Sequence, residues 1–547
     1  MVAAVLKHRL PIFIIALVSI ALYLPTLGFD FVNYDDPHLT YENPLIKTFS
    51  LQIFTSYDPE LYIPLTLLSY QVEHAFFGFN PMVFHLTNLL LHTANAVMVY
   101  LVLSKLLGGR TRYLLPLFGA LLFAVHPLNT EAVAWVSARK DLLSGFFFLL
   151  SLLLYMHHRR LLYWSIAAFA LALLAKVTAI TLIGVLLLVD WKEEKRFTMR
   201  SITSKWPYIV LGIIFAVIAY MGKTSNLNAL SVIEFALLAC KSISFYVQKF
   251  FVPTGLHALY LWTGFIKLLS PSIALTVLVC IVMGLLLWMS YKRKSNVFFG
   301  LAFFSITLAP SLLTFSKAGH IYFASDRYAY IPLIGFIYVL LYALSSLVRS
   351  RRAGIVISVL AVCILVTFGM IARKQSLSWS DSPTLYQYNL KLDPESYVAL
   401  NNLGVLMIKN GQYDDALWHL ERAVSIKADY SSSMLNMGVA HYYLGNLEEA
   451  EEVTARVTEL RPEMLKGWFS LGWLYEQQGK YEEALTVFAT ALEIDDTDPQ
   501  VHWHIGHVYG KQGKYAEGLK AYRKAMALDP AYKDTSAKVE ELMEGKE

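Results

Sequence analysis

Apolar residues come in long blocks as far as residue 372, broken by short polar connections, and then give way to a different rhythm. A helix that crosses a bilayer needs about 20 mostly apolar residues. Runs of this kind lie near 10 to 28, 83 to 107, 113 to 125, 142 to 157, 161 to 175, 177 to 190, 206 to 222, 272 to 290, 297 to 315, 329 to 348 and 354 to 372, which predicts 11 spans. The first ends Leu24, Pro25, Thr26, Leu27, Gly28 without the small-x-small pattern of a cleaved leader, and further spans follow, so it is expected to be retained. Residues 231 to 252 read differently. Glu234, Lys241 and Gln248 recur seven apart on one helical face with apolar residues between them, which predicts an amphipathic helix lying at the outer interface. A twelfth helix with a polar stripe facing the bundle is the alternative.

Past residue 372 the pattern repeats every 34 residues. Gly404, Gly438, Gly472 and Gly506 share that spacing, as do Gly411, Gly445, Gly479 and Gly513, and as do Ala416, Ala450, Ala484 and Gly518. This is a tetratricopeptide (TPR) array of paired helices. The first glycine lets helix A approach its neighbour, the second ends that helix in a turn, and the alanine lets helix B pack closely. Tyr413, Tyr481 and Tyr515 follow the turn, and Pro394, Pro462 and Pro530 fall at repeat ends. Four full repeats are expected at 397–430, 431–464, 465–498 and 499–532. Ahead of them 373–396 reads as a linker holding half of a degenerate repeat, since Tyr386 and Pro394 match the phase, and 533–547 reads as a polar capping tail. Residues 1–372 form the membrane domain. The fold class is all-α: a polytopic helix bundle followed by a TPR α-solenoid.

Composition agrees with the pattern. The 547 residues are 56% hydrophobic and 16% charged, with mean hydropathy +0.48, against the roughly one quarter charged of an ordinary soluble chain. The whole-chain charge of +5 hides a division. Residues 1–371 hold 28 Lys and Arg against 14 Asp and Glu, and the remainder holds 18 against 27. The basic excess lies between apolar segments rather than in a patch or tail, so a nucleic-acid partner is not expected. Cys240, Cys280 and Cys363 are isolated, without zinc or disulfide spacing, and read as small packing residues.

Lys and Arg in short loops set orientation. With Lys7 and Arg9 cytoplasmic, the even-numbered connections carry Arg110 and Arg112, Arg159 and Arg160, the Lys192 to Lys205 cluster, Lys292 to Lys294, and Arg349 to Arg352. All fall on one side. Eleven spans then place the acidic repeats outside the cytoplasm.

Ionisable residues at a membrane face are costly and mark candidate chemistry. The first outer loop contains Asn33, Tyr34, Asp35, Asp36 and Pro37, and its paired carboxylates suit a general base or a divalent ion, with a turn and helix cap as the plainer reading. A second outer segment, His126 to Asp141, carries Glu131, Arg139 and Lys140. Arg139 and Lys140, with Arg327 from a distant loop and Lys176 at an outer helix junction, are candidate phosphate ligands, or else anchors that snorkel to the interface. His74, His85 and His92 sit in apolar helical settings and read as packing residues. There is no Walker loop, no G-x-G-x-x-G after a strand and no H-E-x-x-H. On the repeats, Asn401, Tyr442, Phe469, Trp473, Trp503 and His507 map to the concave face, where they suit an extended peptide or a glycan, or pack between repeats as Trp468 is expected to do.

Several of these stretches together resemble one family. The Asn33 to Pro37 loop, the Tyr62 to Tyr70 run, Phe84 and His85 followed by Asn88, Leu91, His92 and Asn95, the His126 to Asp141 loop, Leu174 to Lys176, and Asp326 to Tyr328 with Tyr330 and Pro332, all ahead of the repeats, are similar to the transmembrane and tetratricopeptide-repeat O-mannosyltransferases and their prokaryotic relatives. The resemblance covers nearly the whole chain. It implies a GT-C bundle of about a dozen helices that uses a polyprenyl-phosphate sugar on the extracytoplasmic side. It places the catalytic carboxylate on Asp35 or Asp36, the departing phosphate against Arg139, Lys140, Arg327 and Lys176, and sugar or acceptor contacts on His126, Glu131 and Tyr62. One displacement would invert the anomeric centre, and the repeats would recruit a protein or glycan acceptor. No cofactor or metal is expected, with a divalent ion on the two aspartates left open. Eukaryotic members usually carry more repeats than four, which favours the plasma membrane of a prokaryote over the endoplasmic reticulum. The sugar, the lipid length, the acceptor and the choice between the two aspartates are not legible. A ligase for lipid-linked glycans, or a non-catalytic TPR scaffold anchored in the membrane, are the rival readings.

Overall fold

The computed structural model describes residues 8–57, 61–108, 113–157, 161–222, 230–262, 271–313, 315–317, 320–348, 350–529, 532–533 and 535–543. It comprises two compact units, Met1–Tyr388 and Asn389–Glu547. The first unit thus takes in the segment expected to begin a linker, because residues 377–388 pack onto the loops of the bundle.

In chain order its main helices are α1 (Arg9–Tyr23), α2 (Pro64–Phe77), α3 (Pro81–Leu107), α4 (Leu114–Val125), α5 (Arg139–His157), α6 (Leu162–Ala175), α7 (Leu182–Glu194), α8 (Trp206–Met221), α9 (Val232–Phe251), α10 (Pro271–Lys292), α11 (Asn296–Leu308), α12 (Leu333–Leu347), α13 (Arg351–Ser376) and α14 (Ser382–Leu392). Each of the eleven apolar runs is helical. Among the described residues, however, only six helices are long and apolar enough to cross a membrane, or seven if Leu114–Val125 and Pro127–Ala134, bent by 53°, form one broken span. The expected segments at α4, α6, α7, α8 and α12 are only 12 to 16 residues long. Their ends are cut by irregular backbone. Lys176 is extended between α6 and a 3-10 turn at Val177–Thr181, and a further 3-10 turn spans Asp326–Ala329 ahead of α12. The helix α2 is not among the elements expected from the sequence.

The helix at α9 is, but Glu234 does not join a polar stripe there. It closes a capping box with Ser231, accepting from the Ser231 backbone N–H at 2.9 Å. Three short strands, β1 (Tyr260–Leu261), β2 (Ser316–Lys317) and β3 (His320–Ala324), pair antiparallel in the order β1-β3-β2 beside α9.

The core runs through α3, α4, α5, α6, α7, α11 and α12. Where α11 meets α12 the chains touch at two glycines. A Cβ on Gly300 would lie 2.6 Å from the carbonyl oxygen of Gly335, so no side chain fits at the crossing. The segments that carry Asp36, Glu131, Lys176 and Arg327 converge at one end of the bundle: Thr66 in the first turn of α2 bonds the Ala175 carbonyl, Asp36 bonds Ser137, and Ser325 and Arg327 bond Glu131. Basic connections meet one another elsewhere, through Lys205 on Asp190 at 2.6 Å and Lys195 on Asn296 at 2.9 Å.

The second unit stacks α15 (Tyr397–Lys409), α16 (Tyr413–Ile426), α17 (Ser431–Leu444), α18 (Leu447–Leu460), α19 (Leu465–Gln477), α20 (Tyr481–Ile494), α21 (Pro499–Lys511) and α22 (Tyr515–Leu528) as four helical hairpins, with α23 (Thr535–Met543) packed on the last. Gly411, Gly445, Gly479 and Gly513 all have φ between +72° and +82°, the left-handed turn that ends each helix A. At Gly472 a Cβ would lie 2.6 Å from Phe488 of the facing helix B. The 34-residue period therefore has a steric basis.

Candidate active site

Asp36 follows a tight turn, in a helical turn that begins one residue before Pro37 and leaves the carboxylate pointing inward. It is buried, and its oxygens are occupied. Oδ2 accepts from the Val32 N–H at 2.9 Å, and Oδ1 accepts from the Ser137 N–H at 2.9 Å and the Ser137 hydroxyl at 2.5 Å. Burial pushes its carboxyl up to about 6 despite those donors. Asp35 stands apart. It is half-buried, and its side chain has no hydrogen bond or ion pair among the described residues. The sequence could not separate these two carboxylates; their surroundings do.

The four expected cations do not act alike. The Arg139 guanidinium is buried at 0% exposure and fully engaged, donating to Asn88 Oδ1 at 2.9 Å and the Phe84 carbonyl at 2.6 Å, and lying over the Tyr70 ring. Glu73 approaches it at 2.6 Å as a charge contact rather than an aligned hydrogen bond. No face of Arg139 is left for a phosphate. Its place at the very start of α5, facing inward, makes it a pin between α5, α2 and α3 instead. Lys140 donates to the Ser137 carbonyl at 2.9 Å and lies over Trp135. Asp35, Arg327, Asp141 and Lys176 are all within electrostatic reach of its ammonium.

Lys176 and Arg327 share a pocket that opens to solvent. It is lined by Asp141, Ser144, Gly145 and Phe148 of α5, by Lys176, Thr178 and Thr181 of the α6–α7 junction, by Thr307 in the last turn of α11 and Pro310 and Ser311 after it, and by Arg327, Tyr328 and Tyr330. Lys176 Nζ is 2.6 Å from Asp141 Oδ1. Arg327 pairs with buried Glu131, donates to Ser325 Oγ at 2.5 Å, and lies over the Trp135 and Tyr328 rings. Arg327 Nε, the Trp135 indole N–H and Asp141 Oδ2 are buried without a hydrogen-bond partner among the described residues. Orphaned polar atoms are rare in a settled core, and here three gather around one group of charges. The threonine and serine hydroxyls at 178, 181, 307 and 311 were missed by sequence reading, since single hydroxyls in apolar runs carry no signal of their own.

The remaining expected contacts serve the framework. His126 accepts the Leu128 N–H at Nδ1 (3.2 Å), which leaves Nε2 to donate to the Phe250 carbonyl at 3.2 Å, so both ring nitrogens are used in joining its loop to α9. Glu131 is the buried counter-ion of Arg327 and also accepts from the Arg327 backbone N–H at 3.1 Å. Tyr62 donates to the Phe54 carbonyl at 3.0 Å, away from the pocket lining. His92 is satisfied by Tyr330 and the Ala124 carbonyl, and His74 lies against Phe79. Behind Arg327, Asp326 accepts from Tyr260 at 2.8 Å and Gln375 at 3.1 Å. Burial, with the Glu131 charge second, holds its carboxyl well above the usual range. Among the described residues no three His, Cys, Asp or Glu side chains converge as a metal-binding set.

On the repeats, the expected groove residues separate in the same way. Asn401 accepts from Ser433 and Asn436 of the next repeat at 3.1 and 3.0 Å, and Phe469 packs on Phe488 and His504. Trp503 stacks on His507 and carries the Lys533 ammonium 3.8 Å above its ring. His507 and His504 grip Glu476 through their Nδ1 atoms at 2.6 and 2.7 Å. Tyr442 and Trp473 form an edge-to-face pair, half-buried. Trp468 bonds the Pro462 carbonyl, as its structural position requires.

A helical membrane bundle that gathers charged loops at one end and carries a TPR solenoid defines the class. Family models confirm the repeats: one described as TPR repeat matches residues 472–513, and tetratricopeptide repeat models match 499–532 and 385–417, the last taking in most of α14. A model described as anaphase-promoting complex, cyclosome, subunit 3 matches 409–491. Among curated relatives, the protein O-mannosyl-transferase F38B6.6 of Caenorhabditis elegans is 22% identical over 75% of this chain and 62% of its own length. The human protein O-mannosyl-transferase TMTC4 is 38% identical over 26% of this chain and 22% of its own. The chain therefore spans less than two thirds of these relatives. A solved thermophilic TPR protein of Thermus thermophilus is 22% identical over 32% of this chain and 94% of its own, at a TM-score of 0.28. The chain is similar, through both its membrane part and its repeats, to TPR-containing protein O-mannosyl-transferases.

Proposed function

We propose that this protein is a multi-pass membrane glycosyltransferase that moves one sugar from a polyprenyl-phosphate donor to an acceptor hydroxyl. The observation that carries the proposal is the pocket that joins Lys176 and Arg327, with the unengaged Asp35 and the pocket cations all in reach of Lys140. A phosphate at this place would be met by two cations in a setting of low dielectric, where each counts for more than in water. Asp35 takes the proton of the acceptor O–H, the oxygen forms a bond to the anomeric carbon, and the bond from that carbon to the phosphate oxygen breaks, releasing the polyprenyl phosphate toward Lys176 and Arg327. A single displacement inverts the anomeric centre. The cations neutralise the leaving group directly, so we assign no cofactor.

The basic connections face the cytoplasm in this reading, the pocket and the repeats face outward, and the membrane is a prokaryotic plasma membrane. The repeats hold a protein or glycan acceptor at the half-buried Tyr442 and Trp473 and the exposed edge of His507, raising its concentration near the site. The test is transfer of labelled sugar from defined polyprenyl-phosphate donors by membranes containing the intact protein or the Asp35→Asn variant. Transfer that is lost in the variant while the protein stays folded supports the reading. Absence of transfer from every donor by the intact protein overturns it.

A further inference from the structure

The loop that presents Asp35 is held from far along the chain. Asp30 N–H donates to the Ser380 carbonyl at 2.9 Å, and Asn33 N–H donates to the Ser382 hydroxyl at 2.7 Å. The Tyr386 hydroxyl donates to the Asn33 carbonyl. Both backbone polar groups of Asn33, two residues before Asp35, are therefore bound by α14 and its approach. Ser382 and Tyr386 are buried and Asn33 is half-buried, so these bonds are partly shielded from water. Beside them Trp379 stacks on Trp135 with ring centroids 5.7 Å apart, and the other neighbours of Trp135 are the Tyr34 ring, the Lys140 ammonium and the Arg327 guanidinium. One segment thus touches the acidic loop directly, and reaches Lys140 and the pocket cation Arg327 through a shared indole.

We infer that residues 377–388, the segment that closes the first unit just ahead of the repeats, set the position of the acidic loop, with Ser382 and Tyr386 as positioning residues for Asp35. The inference rests on the transferase reading above. Fixing both bonding groups of Asn33 restrains the two peptide units that flank it, the second of which leads into Tyr34 and Asp35, and a base displaced by about 1 Å loses on the order of a hundredfold in rate. Neither residue is in the pocket lining, so donor binding is left unchanged while turnover is not.

The test uses the full chain with Tyr386→Phe, Ser382→Ala and the hydroxyl-retaining Ser382→Thr. Two readouts are taken: steady-state transfer, and amide hydrogen exchange of residues 29–36, which needs no activity. The expected result is exchange at least tenfold faster in Tyr386→Phe and Ser382→Ala, kcat lowered at least tenfold with donor KM unchanged, and recovery of both in Ser382→Thr. Equal exchange in all variants overturns the inference, and so does faster exchange with unaltered kcat. If the intact protein transfers nothing, the transferase reading falls and the positioning role with it, while the exchange measurement still reports whether α14 holds the loop. A thermal midpoint like that of the intact protein identifies variants that have folded.

Discussion

Asp36 and Ser137 are 101 residues apart and joined by two hydrogen bonds, since one carboxylate oxygen accepts both the backbone N–H and the hydroxyl of Ser137. This makes Asp36 the clasp between the first outer loop and the segment leading into α5. Asp36→Ala would strand two buried N–H donors and a hydroxyl, at a cost of roughly 3 kcal/mol. Asp35→Ala should change stability by less than about 0.5 kcal/mol, as at other sites without buried partners, and abolish transfer. Thermal unfolding in detergent, run beside the transfer assay, separates the two.

The Asp36 clasp should also depend on pH. Burial raises its folded carboxyl from 3.8 to about 6, so between those values the folded protein keeps a proton that the unfolded chain has lost. Its contribution to stability is full below about 4 and is lost as pH rises through about 6, by up to roughly 3 kcal/mol. An Asp36→Asn variant lacks the titrating group. The difference in thermal midpoint between the two proteins should shift across pH 4 to 7 and level off on either side.

Arg139 and Lys176 are both paired with a carboxylate but should fail differently. Arg139→Gln leaves Glu73 buried without its cation, a loss of about 3 to 5 kcal/mol that should appear as little folded protein in the membrane. Lys176→Gln should leave the amount of folded protein within a factor of two and lower kcat/KM for transfer by about a hundredfold, the usual effect of removing one donor to developing negative charge. Quantifying folded protein by size-exclusion fluorescence, alongside kinetics, distinguishes a frame residue from a site residue.

In the repeats, Glu476 is fixed by His504 and His507. Burial raises its carboxyl, and the two histidines outweigh that, so it titrates below its ordinary 4.5. Its contribution is present above about 4.5 and lost as pH falls through the lower folded value. Acidification through this window should loosen the contact between the third and fourth repeats, seen as a change in the near-ultraviolet circular dichroism of Trp503, which stacks on His507. Glu476→Gln should shift that spectrum at neutral pH and flatten its acid dependence.

The sequence by itself determined what depends on spacing. A 34-residue period with two glycines and an alanine requires close-packed helical hairpins, because only small residues fit at the crossings and only glycine sits easily at the turns. Apolar run length likewise located every membrane-domain helix expected. Tertiary structure decided what depends on neighbours distant in the chain. Where a helix breaks, as at Lys176, is set by packing and not by composition, which is why eleven expected spans became six or seven of full length among the described residues. Arg139 and Lys140 are adjacent in sequence, yet a helix turns consecutive side chains about 100° apart, so one meets Glu73 and the other faces Trp135. Asp35 and Asp36 differ for the same reason: only the one turned toward Ser137 finds hydrogen-bond donors, and only the fold brings Ser137 to it.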